Sequence, residues 1–226
     1  MNILIIGGNG GLGRNFIKNL YPIASNLIIT STNKKNIKLK KKNIFKYTLN
    51  FKSEVQIKKL VQKLSKKFSH IDVIIITTGV FSYDKNLMKY KDIINFYKIN
   101  VFGHVILINE FYRLKKNDKN TYIFSVGSSS AIKNFPNTSL YCSSKHAMDS
   151  FIKCLNFKTR KKKIFNTLIH TGSLKTKMGK KIRNQDYNDF IDPNLISNKV
   201  KKNLQKGVYE EEIRFLRKNI RFIYDS

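Results

Sequence analysis

Tyr141 and Lys145 are the residues whose types and spacing point most directly to acid–base chemistry. They stand four apart in a helix-like stretch, so both side chains would lie on one face of a helix. An unperturbed phenol has a pKa of about 10, and a neighbouring ammonium lowers that pKa by favouring the phenolate. Ser128 lies in the stretch Gly127–Ser130, directly after the strand-like run Thr121–Val126. Because ligands bind at the carboxyl ends of parallel strands, the three side chains predict a catalytic site with a tyrosine acid or base.

A glycine-rich loop is the second candidate site. It spans Gly7–Gly13, follows the apolar run Ile3–Ile6 and precedes the helix-like stretch Asn15–Leu20. Backbone N–H groups at the start of a helix bind phosphate, and glycine lets the chain approach it closely. The order strand, loop, helix therefore predicts a nucleotide phosphate site, with a turn that binds nothing as the alternative. The candidate binding residues here are Gly7, Asn9, Gly10, Gly11, Leu12, Gly13 and Arg14.

The elements that would position these residues alternate between strand and helix. Several strand-like runs are apolar throughout, as a parallel sheet covered on both faces requires. The pattern predicts a doubly wound, Rossmann-like α/β fold with a mostly parallel sheet and helices on both faces, in three layers α/β/α. We expect one domain over residues 1–226, with residues 173–193 as a candidate substrate lid. The predicted strands are Ile3–Ile6, Leu27–Thr30, Ile44–Leu49, Val73–Thr77, Thr121–Val126 and Phe165–Ile169.

Composition is unusual in its charge, since 44 basic and 14 acidic residues give a net charge of +30. Lysine is abundant together with Asn, Ile, Phe and Tyr, which indicates a compositional bias that spreads lysine over solvated faces. Without an aromatic-interleaved basic motif or a helix-turn-helix pattern, we expect no specific nucleic-acid partner. Cys142 and Cys154 would lie about 18 Å apart on one helix, too far to bridge. Reduced thiols, no export signal and no long apolar run predict a cytoplasmic protein without a transmembrane segment.

The glycine spacing G-x3-G-x-G, formed by Gly7, Gly11 and Gly13, resembles that of the classical short-chain dehydrogenase/reductase family. Ser128 also has the family's offset from the Tyr-x-x-x-Lys pair, and the resemblance extends over about residues 1–178. It implies an oxidoreductase that transfers a hydride between a nicotinamide cofactor and a carbonyl or secondary alcohol. The substrate would be a small molecule or an acyl group on a carrier, and the protein would be a homo-oligomer, a dimer or tetramer. No metal is expected.

The resemblance implies four catalytic residues. Tyr141 would exchange a proton with the substrate oxygen, and Ser128 would hold that oxygen, with Ser129 as the less favoured choice. Lys145 would hold the nicotinamide ribose and lower the pKa of Tyr141. Asn100 would position a water molecule in a proton relay.

Further cofactor-binding residues follow from the resemblance, and several family positions are changed. Ile6, Ile76, Thr77 and Thr171 replace the family's Thr, Asn, Asn and Pro. Asn50 stands where the family commonly has an Asp near the adenine. The additional cofactor-binding residues are Asn50, Gly79, Tyr141, Lys145, Gly172, Leu174 and Thr176.

The cofactor is predicted to be NADP(H) rather than NAD(H). An NAD site usually places a carboxylate on the adenosine ribose about 20 residues after the glycines, yet no Asp or Glu precedes Glu54. Residues 31–35 instead supply hydroxyls and cations, with Thr32 and Asn33 as candidate ligands of a 2′-phosphate and Arg14 nearby.

Two alternative functions remain open. A 3-oxoacyl-[acyl-carrier-protein] reductase is favoured by the basic charge, because carrier proteins are acidic. A catalytically silent NADP-binding regulator could use the same fold. The end of the chain, residues 199–226, departs from the family: Lys199–Lys206 is predicted to be a helix and Tyr209–Tyr224 an amphipathic charged segment, so the usual seventh strand is predicted to be absent.

Overall fold

The strands form one parallel seven-stranded sheet in the order β3-β2-β1-β4-β5-β6-β7. The structure is a computed structural model, and it describes residues 1–33, 35, 37–39, 41–84, 88–183 and 185–216. The strands are β1 (Asn2–Ile6), β2 (Asn26–Ser31), β3 (Ile44–Thr48), β4 (Val73–Ile76), β5 (Thr121–Val126), β6 (Ile164–Thr171) and β7 (Glu212–Phe215). The helices are α1 (Gly11–Leu20), α2 (Glu54–Lys67), α3 (Tyr90–Tyr97), α4 (Gly103–Leu114), α5 (Ser139–Thr159) and α6 (Pro193–Lys206).

Alternate side chains of each central strand enter different cores, which produces the predicted three layers. Leu4 of β1 packs with α2, α4 and α5 on one face of the sheet. Its neighbours Ile3 and Ile5 pack with α1 and α6 on the other face. Since both faces are covered, β1 and β4 are apolar along almost their whole length. The predicted Rossmann-like α/β fold is therefore confirmed.

The order of the strands in the sheet determines where the site lies. The chain runs outward from β1 to β3 and then returns to β4 on the other side of β1. Connections after β1 and β4 diverge from this switch point, and a crevice opens at the carboxyl ends of the strands. The loops after Ile6, Ser31, Ile76, Val126 and Thr171 all begin at this edge.

Acidic side chains accept hydrogen bonds from the backbone at the starts of α5 and α6. Oδ2 of Asp84 accepts a hydrogen bond of 2.8 Å from the backbone N–H of Ser139, at the start of α5. Oδ1 of Asp192 accepts one of 2.8 Å from the N–H of Asn194, and Pro193 occupies the first turn of α6. Between α3 and α4, residues Lys98–Phe102 form a π-helical turn, so the helical segment is irregular at this point.

Three sequence predictions need correction. β7 exists, as a parallel strand with Ile213 beside Ile169 of β6, although we predicted no seventh strand. Its short charged sequence leaves only one side chain buried, so it gives little strand signal. Helix α6 begins at Pro193 instead of Lys199. The strands also differ from the prediction by one or two residues at several ends. Within the predicted features, Lys34, Asn184 and residues 217–226 lie outside the described part of the chain.

Candidate active site

A cleft of about 1160 Å³ opens at the carboxyl edge of the sheet. Most of the predicted site residues line it: Gly7, Asn9, Gly10, Gly11, Leu12, Gly13, Thr32, Gly79, Ser128, Tyr141, Lys145, Gly172, Leu174 and Thr176. Asn100 is fully buried behind the wall. Arg14, Asn33 and Asn50 were also predicted to bind the cofactor, but they do not line the cleft. The sequence therefore brings its motifs together at one edge, as the fold requires.

The glycine loop is shaped by one residue at positive φ and by one close approach of backbone to backbone. Gly7 has a φ of +86°, in the region that side chains disfavour. A Cβ on Gly13 would lie 2.3 Å from the carbonyl oxygen of Gly7, so only glycine fits there. Helix α1 begins just beyond this turn, with no side chain capping its N-terminus and no acidic residue in its first turn. Its free N–H groups and positive dipole end therefore suit an anion such as a phosphate.

The loop is braced by Thr77, which was not predicted as a site residue, and it contacts Thr176, which was. Oγ1 of Thr77 donates to the carbonyl oxygens of Ile6 and Gly7, at 2.9 and 3.2 Å. A Cβ on Gly11 would lie 2.8 Å from the side chain of Thr176, so the loop also touches the segment after β6. A threonine in place of the family's asparagine thus still bonds to the glycine turn. The feature of the sequence that could have identified Thr77 is its position directly after β4.

The end of β2 forms the outer part of the cleft. Ser31 and Thr32 line it, whereas Asn33 turns away and its Oδ1 accepts from the backbone N–H of Lys35 at 3.0 Å. Arg14 lies outside the wall and donates to Oδ1 of Asn9 at 2.7 Å. Asn50 is used in the turn before α2, where its Oδ1 accepts from the N–H of Lys52 at 3.1 Å. Of the residues predicted to bind the ribose end of the cofactor, Thr32 is thus the one that faces the cleft.

Ser128 and Tyr141 meet at the inner end of the cleft. Oγ of Ser128 accepts from the N–H of Ser130 at 3.1 Å, which leaves its own hydrogen free to donate. Burial raises the pKa of the Tyr141 phenol, and a hydrogen bond with Ser128 opposes that rise. The expected lowering of this pKa by Lys145 is absent, because desolvation outweighs the other effects in the free protein. Tyr141 is consequently a protonated phenol at neutral pH.

Lys145 is a buried cation one helical turn from Tyr141. Its Nζ lies 5.7 Å from the centre of the tyrosine ring and donates to the carbonyl oxygen of Val126 at 3.3 Å. Burial lowers its pKa from 10.5 to about 8, so the amine is still mostly protonated at pH 7. A second buried base, His104, donates to the carbonyl oxygen of Thr78 at 3.1 Å, and burial lowers its pKa to about 3. His104 is therefore neutral and braces the loop after β4.

Asn100 holds the same loop from the π-helical turn. Its Oδ1 accepts from the N–H of Val80 at 2.8 Å, and its Nδ2 donates to the carbonyl oxygen of Val80 at 2.9 Å. Nδ2 also lies 3.4 Å from Oγ of Ser144, which is on α5 next to Lys145. Both ends of the amide are thus occupied by protein atoms. Its side chain couples the Gly79 loop to α5.

Aromatic and basic side chains both line the cleft. Phe81 packs edge-on against Tyr141 with ring centres 4.9 Å apart. Lys177, Lys181 and Arg183 of the predicted lid also line the cleft. The lid touches the loop after β4, because the N–H of Arg183 donates to the Tyr83 hydroxyl at 2.7 Å.

Comparisons with known proteins agree with this arrangement. The family described as short chain dehydrogenase matches residues 1–187. The chain belongs to the short-chain dehydrogenase family. As a member of that family, it is an oxidoreductase with a Rossmann-type nucleotide-binding fold. No helix within the described residues is long and apolar enough to span a membrane, and those residues contain no group of three or more His, Cys, Asp or Glu that could hold a metal ion.

Two curated relatives of this short-chain dehydrogenase are informative. An uncharacterized oxidoreductase of Saccharomyces cerevisiae is 31% identical over 192 residues, which cover 77% of this chain and 75% of the relative. The 3-oxoacyl-[acyl-carrier-protein] reductase of Rickettsia typhi is 25% identical over 184 residues, covering 79% and 75%.

Solved structures share the fold at lower identity. A short chain dehydrogenase from Burkholderia cenocepacia, in complex with NADP, has a TM-score of 0.81 and 14% identity over 95% of this chain and 87% of that one. A 3-ketoacyl-(acyl-carrier-protein) reductase from Brucella melitensis, complexed with NADH, has a TM-score of 0.83 and 16% identity over 95% of each chain.

Proposed function

We propose that this short-chain dehydrogenase is an NADP(H)-dependent oxidoreductase that interconverts a carbonyl and a secondary alcohol. The observation that carries the proposal is that the glycine loop, Ser128, Tyr141 and Lys145 face one cleft. We further propose that residues 1–226 form a single domain, with residues 173–193 as its lid, and that the chain assembles as a homo-oligomer.

The residues present fit a dinucleotide. A side chain on Gly13 would clash with the Gly7 carbonyl oxygen, so the turn needs glycine there. The start of α1 offers uncapped N–H groups to the cleft. Gly7–Gly13 would hold the pyrophosphate there, and Thr176 lies against Gly11 on the other side. Gly172 and Leu174 continue the wall towards Tyr141, where Lys145 would hold the nicotinamide ribose. A bound nicotinamide cofactor supplies or accepts the hydride.

The protein's part in carbonyl reduction is to bind the oxygen and supply its proton. Burial raises the pKa of Tyr141, which keeps the phenol protonated and able to donate to a carbonyl oxygen. The free hydrogen of Ser128 stabilises the negative charge that develops on that oxygen. Lys145 provides a positive charge beside the phenol, which stabilises the phenolate after proton transfer. Asn100 keeps the Gly79 loop in place through Val80, and we propose that it also positions a water molecule in the proton relay.

The preference for NADP(H) rests on charge at the end of β2. The sequence has no carboxylate before Glu54 to accept hydrogen bonds from a ribose diol. Thr32 faces the cleft at this point, and a hydroxyl there tolerates a 2′-phosphate that a carboxylate would repel.

A 3-oxoacyl group on a carrier protein is the second candidate substrate. The relative from Rickettsia typhi with that activity supports it. So do the three cations Lys177, Lys181 and Arg183 along the lid side of the cleft, which would attract an acidic carrier. Replacing all three by Gln is expected to raise KM for a carrier-bound substrate about tenfold and to leave KM for a small uncharged ketone unchanged.

The proposal is tested by following the oxidation of NADPH and NADH against a panel of ketones and 3-oxoacyl thioesters. Tyr141→Phe removes the proton donor and is expected to lower kcat about 10²- to 10⁴-fold, which is the contribution of general acid catalysis. Cofactor binding, measured by fluorescence, should be retained, because the glycine loop and Lys145 are unchanged. Full activity of Tyr141→Phe contradicts the mechanism, while NADPH binding without turnover of any substrate favours the catalytically silent regulator.

Cofactor choice has its own test in Thr32→Asp. A carboxylate at this position is expected to lower the ratio of NADPH to NADH affinity by about tenfold or more, through repulsion of the 2′-phosphate. Thr32→Asn is the matched control, since it changes shape without adding charge. If Thr32→Asp leaves the ratio of NADPH to NADH affinity unchanged, the end of β2 does not contact the ribose.

A further inference from the structure

His170 is a completely buried histidine directly behind Ser128. It is the penultimate residue of β6, and its Nδ1 lies 3.2 Å from the carbonyl oxygen of Ser128. A carbonyl oxygen only accepts hydrogen bonds, so Nδ1 carries a hydrogen and donates it. The ring is thus bonded to the backbone of the residue whose hydroxyl faces Tyr141.

The other ring nitrogen faces acidic side chains from two further elements. Nε2 lies 3.0 Å from Oδ1 of Asp149 on α5 and 3.7 Å from Oε1 of Glu212 on β7. Neither Nε2 nor that Asp149 oxygen makes a hydrogen bond among the described residues, so Asp149 restricts the ring by packing against it. Lys153 lies 2.8 Å from Asp149 and 3.6 Å from Glu212, which keeps both carboxylates beside the ring.

Packing leaves the Ser128 backbone little freedom on this side. A Cβ on Gly127 would lie 3.0 Å from Nδ1 of His170, which shows how closely the ring follows the chain. The N–H of Gly127 donates to the carbonyl oxygen of Ile169 at 2.8 Å. The path from β5 to Ser128 is therefore fixed by β6 at two successive residues, one by backbone and one by the imidazole.

We propose that His170 is a positioning residue that aligns Ser128 with Tyr141. It does so by donating from Nδ1 to the Ser128 carbonyl oxygen, while Asp149 holds the ring from the same helix that carries Tyr141. The inference rests on the proposed reductase function for its kinetic consequences. Its structural consequence, the Ser128–Tyr141 contact, is independent of any reaction.

A purely structural role is the competing explanation, and His70 serves as the matched control. His70 is also buried, and its Nε2 lies 2.8 Å from the carbonyl oxygen of Asn120. It belongs to the loop before β4, at the opposite edge of the sheet from the cleft. His70→Leu should therefore lower the midpoint of thermal unfolding and leave kcat unchanged.

The first experiment is a double-mutant cycle between His170 and Ser128. His170→Leu is expected to lower kcat by about 10- to 100-fold with little change in KM, since a displacement of 1 Å costs about that much. Because the loss acts through Ser128, adding His170→Leu to Ser128→Ala should lower kcat no further. Multiplied losses in the double variant would overturn the proposal.

Two polar variants separate the hydrogen bond from the size of the ring. His170→Asn places an amide N–H where Nδ1 was and is expected to keep kcat within about threefold of the wild type. His170→Gln places its amide near Asp149 and leaves the Ser128 carbonyl oxygen without a donor, so it should resemble His170→Leu and serve in its place if the leucine variant does not fold. Equal activity of the Asn and Gln variants would overturn the proposal.

The second experiment needs no turnover and so separates this inference from the proposed function. The 13Cζ resonance of Tyr141, assigned by its loss in Tyr141→Phe, reports the hydrogen bond that its phenol makes with Ser128. His170→Leu or His170→Gln should move this resonance as Ser128→Ala does, and the double variant should move it no further. An unchanged resonance overturns the role of His170, whereas a wild type inactive with every carbonyl overturns only the reductase function.

Discussion

At the carboxyl ends of the strands small residues surround an open cleft, whereas at the amino ends polar side chains close the surface by hydrogen bonding to the backbone. The cleft edge contains the Gly7 turn, Gly79 and Ser128, and it holds a buried cation in Lys145. That edge has a glycine turn at positive φ, an uncapped helix and an amine whose pKa is lowered by burial. The missing cap and the buried amine cost stability.

The amino edge is made of satisfied polar contacts. The backbone N–H of Asn2 donates to Oδ2 of Asp72 at 2.6 Å, and its Nδ2 donates to the carbonyl oxygen of His70 at 2.8 Å. Nε2 of His70 in turn meets the Asn120 carbonyl oxygen. Oγ1 of Thr121 donates to the carbonyl oxygen of Ile71 at 3.0 Å. One edge of the same sheet thus stabilises the fold, while the other retains costly groups that serve chemistry.

Lys145→Met should show the largest divergence between activity and stability. Loss of the cation beside Tyr141 is expected to lower kcat by about a hundred- to thousandfold. Burial holds the folded pKa of Lys145 near 8, against 10.5 unfolded. At pH 7 the variant is therefore freed of a desolvation penalty of up to about 3 kcal/mol, and its free energy of unfolding should rise.

The pH dependence of that gain is a control on its cause. Between pH 8 and 10.5 the unfolded wild type binds more protons than the folded protein, so wild-type stability rises with pH in this window. The advantage of Lys145→Met should be complete below pH 8 and vanish by pH 10.5. Chemical denaturation at pH 7 and pH 10 measures it; a variant less stable than the wild type at pH 7 would contradict the comparison.

Gly13→Ala should harm both properties. The new Cβ would lie 2.3 Å from the Gly7 carbonyl oxygen, so the turn must shift. We expect a loss of about 1–3 kcal/mol in unfolding free energy and about a hundredfold weaker cofactor binding by fluorescence titration. Gly10→Ala is the stability control, because its Cβ would lie 3.4 Å from the same oxygen and Gly10 has an ordinary φ of −69°. Equal stability of the two variants would show that the turn is not tightly packed.

His70→Leu should have the smallest effect on activity. It leaves the Asn120 carbonyl oxygen without its donor, at a cost of about 1–3 kcal/mol in unfolding free energy. Thermal and chemical unfolding measure this cost, and kcat should be unchanged. His70→Gln keeps a donor near the position of Nε2 and should recover much of the stability. A fall in kcat that follows the loss of stability would remove the distinction between the two edges.

The sequence predicted the parts of this picture that depend on pattern. Continuous apolar runs such as Val73–Ile76 indicated buried parallel strands, and those strands place Gly7, Ser128 and Tyr141 at one edge as expected. The bounds of α6 could also have been found, since Asp192 and Pro193 form an ordinary helix start. The strand β7 could not, because Glu212–Phe215 is charged and becomes a strand only by pairing with β6.

The orientation of single polar side chains was beyond the sequence. Asn33 and Asn50 stand next to the cleft in the chain, but each folds into a local turn through its own Oδ1. Thr77 replaces an asparagine and still bonds the glycine turn. His170 gave no signal because a single histidine within a strand forms no pattern, and its importance depends on which residues of α5 and β7 surround it. Such contacts arise only from tertiary packing.

Transfer of deuterium from [4-2H]NADPH to a ketone tests the central claim most directly. If the cleft edge is the active site of a reductase, mass spectrometry should find one deuteron on the former carbonyl carbon of the alcohol from the appropriate C4 epimer. The same label transfer should be missing in Tyr141→Phe and intact in His70→Leu. NADPH consumption without deuterium in the product, or equal transfer by Tyr141→Phe and the wild type, would contradict the account.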